Sequence, residues 1–102
     1  MKNDLGLENP LYEDGRFAIY PDDSPDEHQM LVDGKHYVSL VRGTLNSVGH
    51  GSDNVVDYVM KQLVETDVSR RDVTKALLRG RIAELEKRLD SEIEENFELQ
   101  NH

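Results

Sequence analysis

Short apolar clusters divided by turn residues fill the first half of the chain, and apolar residues at helical spacing fill the second. The aromatic and β-branched run "RFAIY" (16–20) predicts a short strand. "PDDSPDE" (21–27), with two prolines and three aspartates, predicts an acidic loop. "HQMLVDGKHYVSLVR" (28–42) predicts a hairpin turning at Asp33-Gly34, a dipeptide that tolerates the positive φ values of a two-residue turn. The three glycines of "GTLNSVGHGS" (43–52) predict a connector. Ser52 then stands as N-cap of a helix over 53–66, whose Val56, Val59, Met60 and Leu63 form one apolar stripe. Asp53 and Asp57 suit the positive end of its dipole.

The start of the next helix is the sharpest local signal. Ser69 as N-cap puts Asp72 at the third helical position, and Val68 and Val73 match a hydrophobic staple. A turn of about three residues is expected before it. From there one helix is expected to run over 69–99. Leu78, Ile82, Leu85 and Leu89 are spaced 4, 3, 4, with Ile93 and Phe97 at further steps of four. Two clean heptads predict a short dimeric seam or packing on the sheet rather than a long coiled coil. Gly80 falls on the opposite side of the helix, where a kink or a break is expected. The predicted fold class is α+β: a small antiparallel β-sheet (hairpin 28–42, third strand 16–20), then a helical hairpin with a long C-terminal helix.

At 102 residues the chain is expected to form one domain over 16–102, preceded by an acidic, loosely ordered arm over 1–15. Hydrophobic residues make up 36% with no Trp, so the core must be thin, and such a chain is expected to complete itself as a homodimer. There is no cysteine, which excludes disulfides, thiolate catalysis and cysteine-type zinc sites. "MKNDLGLENP" (1–10) lacks a signal-peptide core and no apolar run reaches membrane-spanning length, so a cytoplasmic protein with no membrane partner is expected.

The net charge is −9, unevenly placed. Residues 69–88 hold seven bases and three acids, an island between an acidic first third and a final 14 residues with five acids and no base. Within the island, Glu84–Arg88 and Asp72–Lys75 have the spacing of intrahelical ion pairs, which are worth about 0.2–0.5 kcal/mol each. Arg70, Arg71, Arg79 and Arg81 are left without local partners, and the acidic amino-terminal region or a second copy is expected to supply them.

The order strand (36–42), helix (53–66), tight turn, Ser-Arg-Arg resembles the ribbon-helix-helix regulators and antitoxins. That resemblance implies a strand pairing across a dimer to read bases, with Lys35, Tyr37 and Ser39 as base-reading residues. It implies phosphate contacts from Ser69 and Arg70, at the start of the helix that also carries Arg71 and Lys75. The ten-residue connector (43–52) and the acidic net charge depart from that family.

Other constellations carry less. His28 and His36 flank the hairpin turn as a two-ligand metal pair, too few ligands for a site. His50, Ser52 and Asp53 are near neighbours, and triad members must converge from separate elements. No Walker loop and no G-x-G-x-x-G motif is present. "ENPLY" (8–12) matches a short N-P-x-Y peptide motif that also simply favours a turn. Adjacent acids abound, but a catalytic pair needs an apolar pocket that this composition barely supplies. No cofactor or metal is expected, and no enzymatic role.

The expectation is therefore a non-enzymatic protein-binding regulator or inhibitor, of the kind phages and mobile elements encode. It would cover a basic, nucleic-acid-binding or apolar surface of a target protein with Asp22, Asp23, Asp26, Glu27 and Asp33. Leu78, Ile82, Leu85, Leu89 and Ile93 would form its dimer seam. A DNA-binding regulator using Lys35, Tyr37, Ser39, Ser69, Arg70, Arg71 and Lys75 is the alternative, and a structural assembly subunit is another.

Overall fold

A computed structural model of the chain describes residues 7–24, 26–49 and 53–100, the last ten as helical backbone. The elements in order are β1 (Tyr12–Glu13), β2 (Phe17–Pro21), β3 (His28–Val32), β4 (His36–Leu40), α1 (Asp53–Gln62) and α2 (Arg70–Gln100). The strands form one antiparallel sheet in the order β1-β2-β3-β4. The fold is the predicted α+β arrangement, with one strand added at the edge.

That added strand, two residues long, lies in the stretch 1–15 expected to be an acidic, loosely ordered arm. Asp14 builds its hairpin: one carboxylate oxygen accepts from the backbone N–H of Arg16 and of Phe17, both at 2.8 Å. The β3–β4 turn places Asp33 and Gly34 at φ 56° and 75°, the left-handed region the dipeptide was chosen for. Lys35 N–H closes the turn on Val32 C=O at 3.2 Å. The ladder then pairs Val32 with His36, so three residues rather than two lie between the paired positions.

Register decides the faces. Ile19, Met30 and Val38 lie in one cross-strand row, as do Phe17 with Val32 and His28 with Leu40. Their apolar members, all buried, pack with both helices in a single core. The connector after β4 also enters this core, since Leu45 and Val48 are 0% and 2% exposed.

α1 buries Val55, Val56, Val59 and, just beyond its end, Leu63, close to the predicted stripe. It stops at Gln62 rather than residue 66, because Thr66 bonds back to the Leu63 carbonyl through both its N–H (3.0 Å) and its hydroxyl (2.8 Å). Ser52, the predicted cap, lies outside the described residues. α2 starts as predicted: Ser69 Oγ accepts from Asp72 N–H at 3.1 Å, and Val68 and Val73 are both buried.

The face α2 turns to the sheet is not the leucine stripe. It is Val73, Ala76, Leu77, Gly80 and Glu84, all buried. Leu78, Ile82, Leu85 and Leu89 lie roughly 150° away around the helix, at 100° per residue, and are 38%, 51%, 44% and 56% exposed. Of the two predicted uses of the stripe, packing on the sheet is thus excluded. Gly80 does not break α2, which runs unbroken for 31 residues. It is the crossing point over β2, where an added Cβ would stand 2.6 Å from Ile19 Cδ1.

Candidate interaction surfaces

Four of the five predicted interface acids share the β2–β3 loop. Its backbone is held by Asp22 N–H to Glu27 C=O (3.2 Å), Glu27 N–H to Ser24 C=O (3.1 Å), and Gly43 N–H to Asp26 C=O (2.9 Å). Asp23 and Asp26 are exposed, and Asp22 and Glu27 half-buried. Among the described residues no Lys, Arg or His forms an ion pair with any of the four. The loop presents uncompensated negative charge on a fixed scaffold.

Asp33 stands apart, at the opposite end of β3. Arg16 holds it in a bidentate pair, Nε to Oδ1 at 2.9 Å and Nη2 to Oδ2 at 3.1 Å, and also bonds Asp67. The hydrogen bond from Arg16 holds the Asp33 carboxyl below its ordinary value, and does the same to Asp67. The guanidinium is pushed up in turn, chiefly by its hydrogen bond to Asp33.

The cations of 69–88 divide into satisfied and open sets. Arg70 bonds Asp57 and, at 3.2 Å, Asp53, so α1 rather than the amino-terminal acids neutralises it. Its guanidinium is pushed up, first by the hydrogen bond to Asp57. Arg81 donates to the Asn46 carbonyl and anchors the connector. Arg88 lies 3.5 Å from Glu84, the expected i,i+4 pair. Arg71, Lys75 and Arg79 are exposed and make no ion pair among the described residues. With Arg70, Thr74, Leu78 and Ile82 they form one open, basic and apolar strip along the outer side of α2.

The residues implied by the ribbon-helix-helix resemblance fall on different layers. Lys35 is in the β3–β4 turn, and Tyr37 and Ser39 lie on the sheet face opposite buried Val38 and Leu40. Ser69, Arg70, Arg71 and Lys75 belong to the helical layer, where the Ser69 hydroxyl and the Arg70 guanidinium are already engaged within the chain. His28 and His36 begin successive antiparallel strands and so sit at opposite ends of the sheet. Among the described residues no three potential metal ligands gather. His50 lies outside the described residues, and of Ile93 only the helical backbone is described.

One pairing escaped the sequence reading. His28, 2% exposed at the start of β3, donates from Nε2 to Oε2 of Glu84, 7% exposed in α2. His28 Nδ1 and Glu84 Oε1 have no hydrogen-bond partner among the described residues; Arg88 reaches Oε1 only at ion-pair distance. The available signal was Glu84 continuing the line of Val73, Leu77 and Gly80 at helical spacing.

Among the described residues no helix is long and apolar enough to cross a membrane. No protein family, no curated protein and no solved structure matches this chain.

Proposed function

We propose that this chain is a non-enzymatic binding protein, working as a homodimer, that docks the β2–β3 loop on a basic surface of another protein. The observation that carries the reading is that four acids without an arginine partner among the described residues gather on one loop. Asp33, Asp53, Asp57 and Asp67 are each bonded to an arginine of the chain, while Asp22, Asp23, Asp26 and Glu27 have no such partner among the described residues. Charge left uncompensated on a backbone fixed by three hydrogen bonds is suited to steering a cationic partner with little ordering cost. A nucleic-acid-binding surface on the target protein is the natural basic partner, because a row of carboxylates competes with phosphates for the same guanidinium groups. The dimer is carried by the apolar stripe that α2 keeps off its own core.

The test is affinity capture with the tagged chain from nuclease-treated lysate, in parallel with an Asp22→Asn, Asp23→Asn, Asp26→Asn, Glu27→Gln variant. A stoichiometric protein retained by the parent and lost by the variant supports the reading. Equal retention by both, or recovery of nucleic acid alone in an untreated lysate, refutes it.

A further inference from the structure

Resting on the homodimer reading, we propose that two copies pair their α2 helices antiparallel, the acidic C-terminal half of each lying along the basic outer strip of the other.

The seam itself argues for this direction. With Ile82 and Leu89 at heptad positions a and Leu78 and Leu85 at d, the flanking seam positions are Arg71 (d), Lys75 (a) and Glu92 (d). A parallel, in-register pair would oppose Arg71, Lys75 and Glu92 each to its own copy, three like-charge layers around a short apolar centre. An antiparallel pair centred between residues 83 and 84 sets Ile82 against Leu85 and Leu78 against Leu89, and Lys75 against Glu92. Every apolar layer is kept, Lys75 meets Glu92 on both sides of the centre, and Arg71 meets Asn96 rather than its own copy.

The rest of the chain agrees. The outer side of α2 offers Arg71, Lys75 and Arg79 beside Leu78 and Ile82, basic and apolar side chains on one exposed strip. Residues 89–98 supply the matching ligand, with Leu89, Ile93 and Phe97 among five acids and no base. From Leu85 to Asp90 every residue is exposed, so this part of α2 has already left the body of its own chain and is placed to lie along another. The helix, 31 residues or roughly 46 Å, is long enough to reach both.

The chain has no cysteine, so single thiols report the pairing directly. Leu78→Cys and Leu89→Cys, both exposed positions, are made on differently tagged chains, mixed, and equilibrated in a glutathione redox buffer. The antiparallel pair predicts a mixed 78–89 disulfide as the main product. Residue 78 is then about 16 Å from its own copy along the axis, beyond disulfide reach. Homotypic 78–78 and 89–89 products would overturn the antiparallel pairing while leaving the homodimer standing. A dimer by light scattering that forms no disulfide at either position would overturn it too, since the stripe would then not be the interface. A monomer by light scattering defeats the homodimer reading and this inference together. Independently, Lys75→Glu is expected to weaken dimerisation roughly five- to tenfold, and adding Glu92→Lys to restore it. No recovery in the double variant contradicts the assigned register.

Discussion

The imidazole of His28 at the head of β3 donates to the carboxylate of Glu84 in the middle of α2, and both side chains are buried. This bond ties the sheet to the helix at the end where the acidic loop begins. Removing one partner strands the other in a low-dielectric site. Glu84→Ala is expected to cost about 2–4 kcal/mol in denaturant unfolding at fixed chain concentration. Glu84→Gln, which keeps an acceptor for Nε2–H, should cost much less. Replacing both by Leu should be close to neutral, since the pair's own desolvation is then removed as well. A Glu84→Ala loss no larger than that of Glu84→Gln would show that the bond contributes nothing.

Gly80 and Ile19 define the close approach of helix and sheet. Ala is about 1 kcal/mol better than Gly in a helix interior, so a free site would gain from Gly80→Ala. Here the new methyl meets Ile19 Cδ1 at 2.6 Å, and Ile19 is fully buried. A net loss of up to about 2 kcal/mol is expected, in place of that gain. Ile19→Val removes that δ-methyl, so in its background Gly80→Ala should turn neutral or stabilising. Additive effects in the four-variant cycle would rule out the clash as the cause.

Arg16 makes the fold acid-sensitive in a defined way. The folded carboxyls of Asp33 and Asp67 titrate below their ordinary values, chiefly through its hydrogen bonds. Asp14 is also lowered: its partial burial acts the other way but is outweighed by hydrogen bonds from the Phe17 and Arg16 N–H groups. A carboxyl lowered by folding contributes stability above its unfolded pKa of about 3.9, and that contribution is lost as pH falls through the folded value. Unfolding midpoints should therefore fall below about pH 4. Arg16→Gln should raise the Asp33 and Asp67 titrations in NMR and flatten this acid limb. Unchanged carboxyl titrations in the variant would remove Arg16 from the account.

The fold was legible wherever local chemistry dominates. Ser69 with Asp72, Val68 with Val73, and the Asp33-Gly34 turn all form where the sequence puts them. What misled was amplitude. The strongest apolar pattern in α2, Leu78 to Leu89, faces outward, whereas the weaker line through Ala76 and Gly80 packs on β2, because small residues are what let a helix approach a sheet. β1 was too short to leave a periodic signal, and Leu45 and Val48 reach the core from a connector with no period at all. The candidate surface was half legible: composition located the acids, but only tertiary placement separates Asp33, bonded to Arg16, from the four open acids of the β2–β3 loop.

Steering of a basic partner by those four acids is tested by the association rate of the captured partner as ionic strength is raised. Steering by a cluster of fixed charges gives a rate that falls steeply with salt. The parent chain is expected to show that fall, and the Asp22→Asn, Asp23→Asn, Asp26→Asn, Glu27→Gln variant a slower and nearly salt-independent rate. The same salt slope in both proteins would contradict the account and move the binding surface away from the β2–β3 loop.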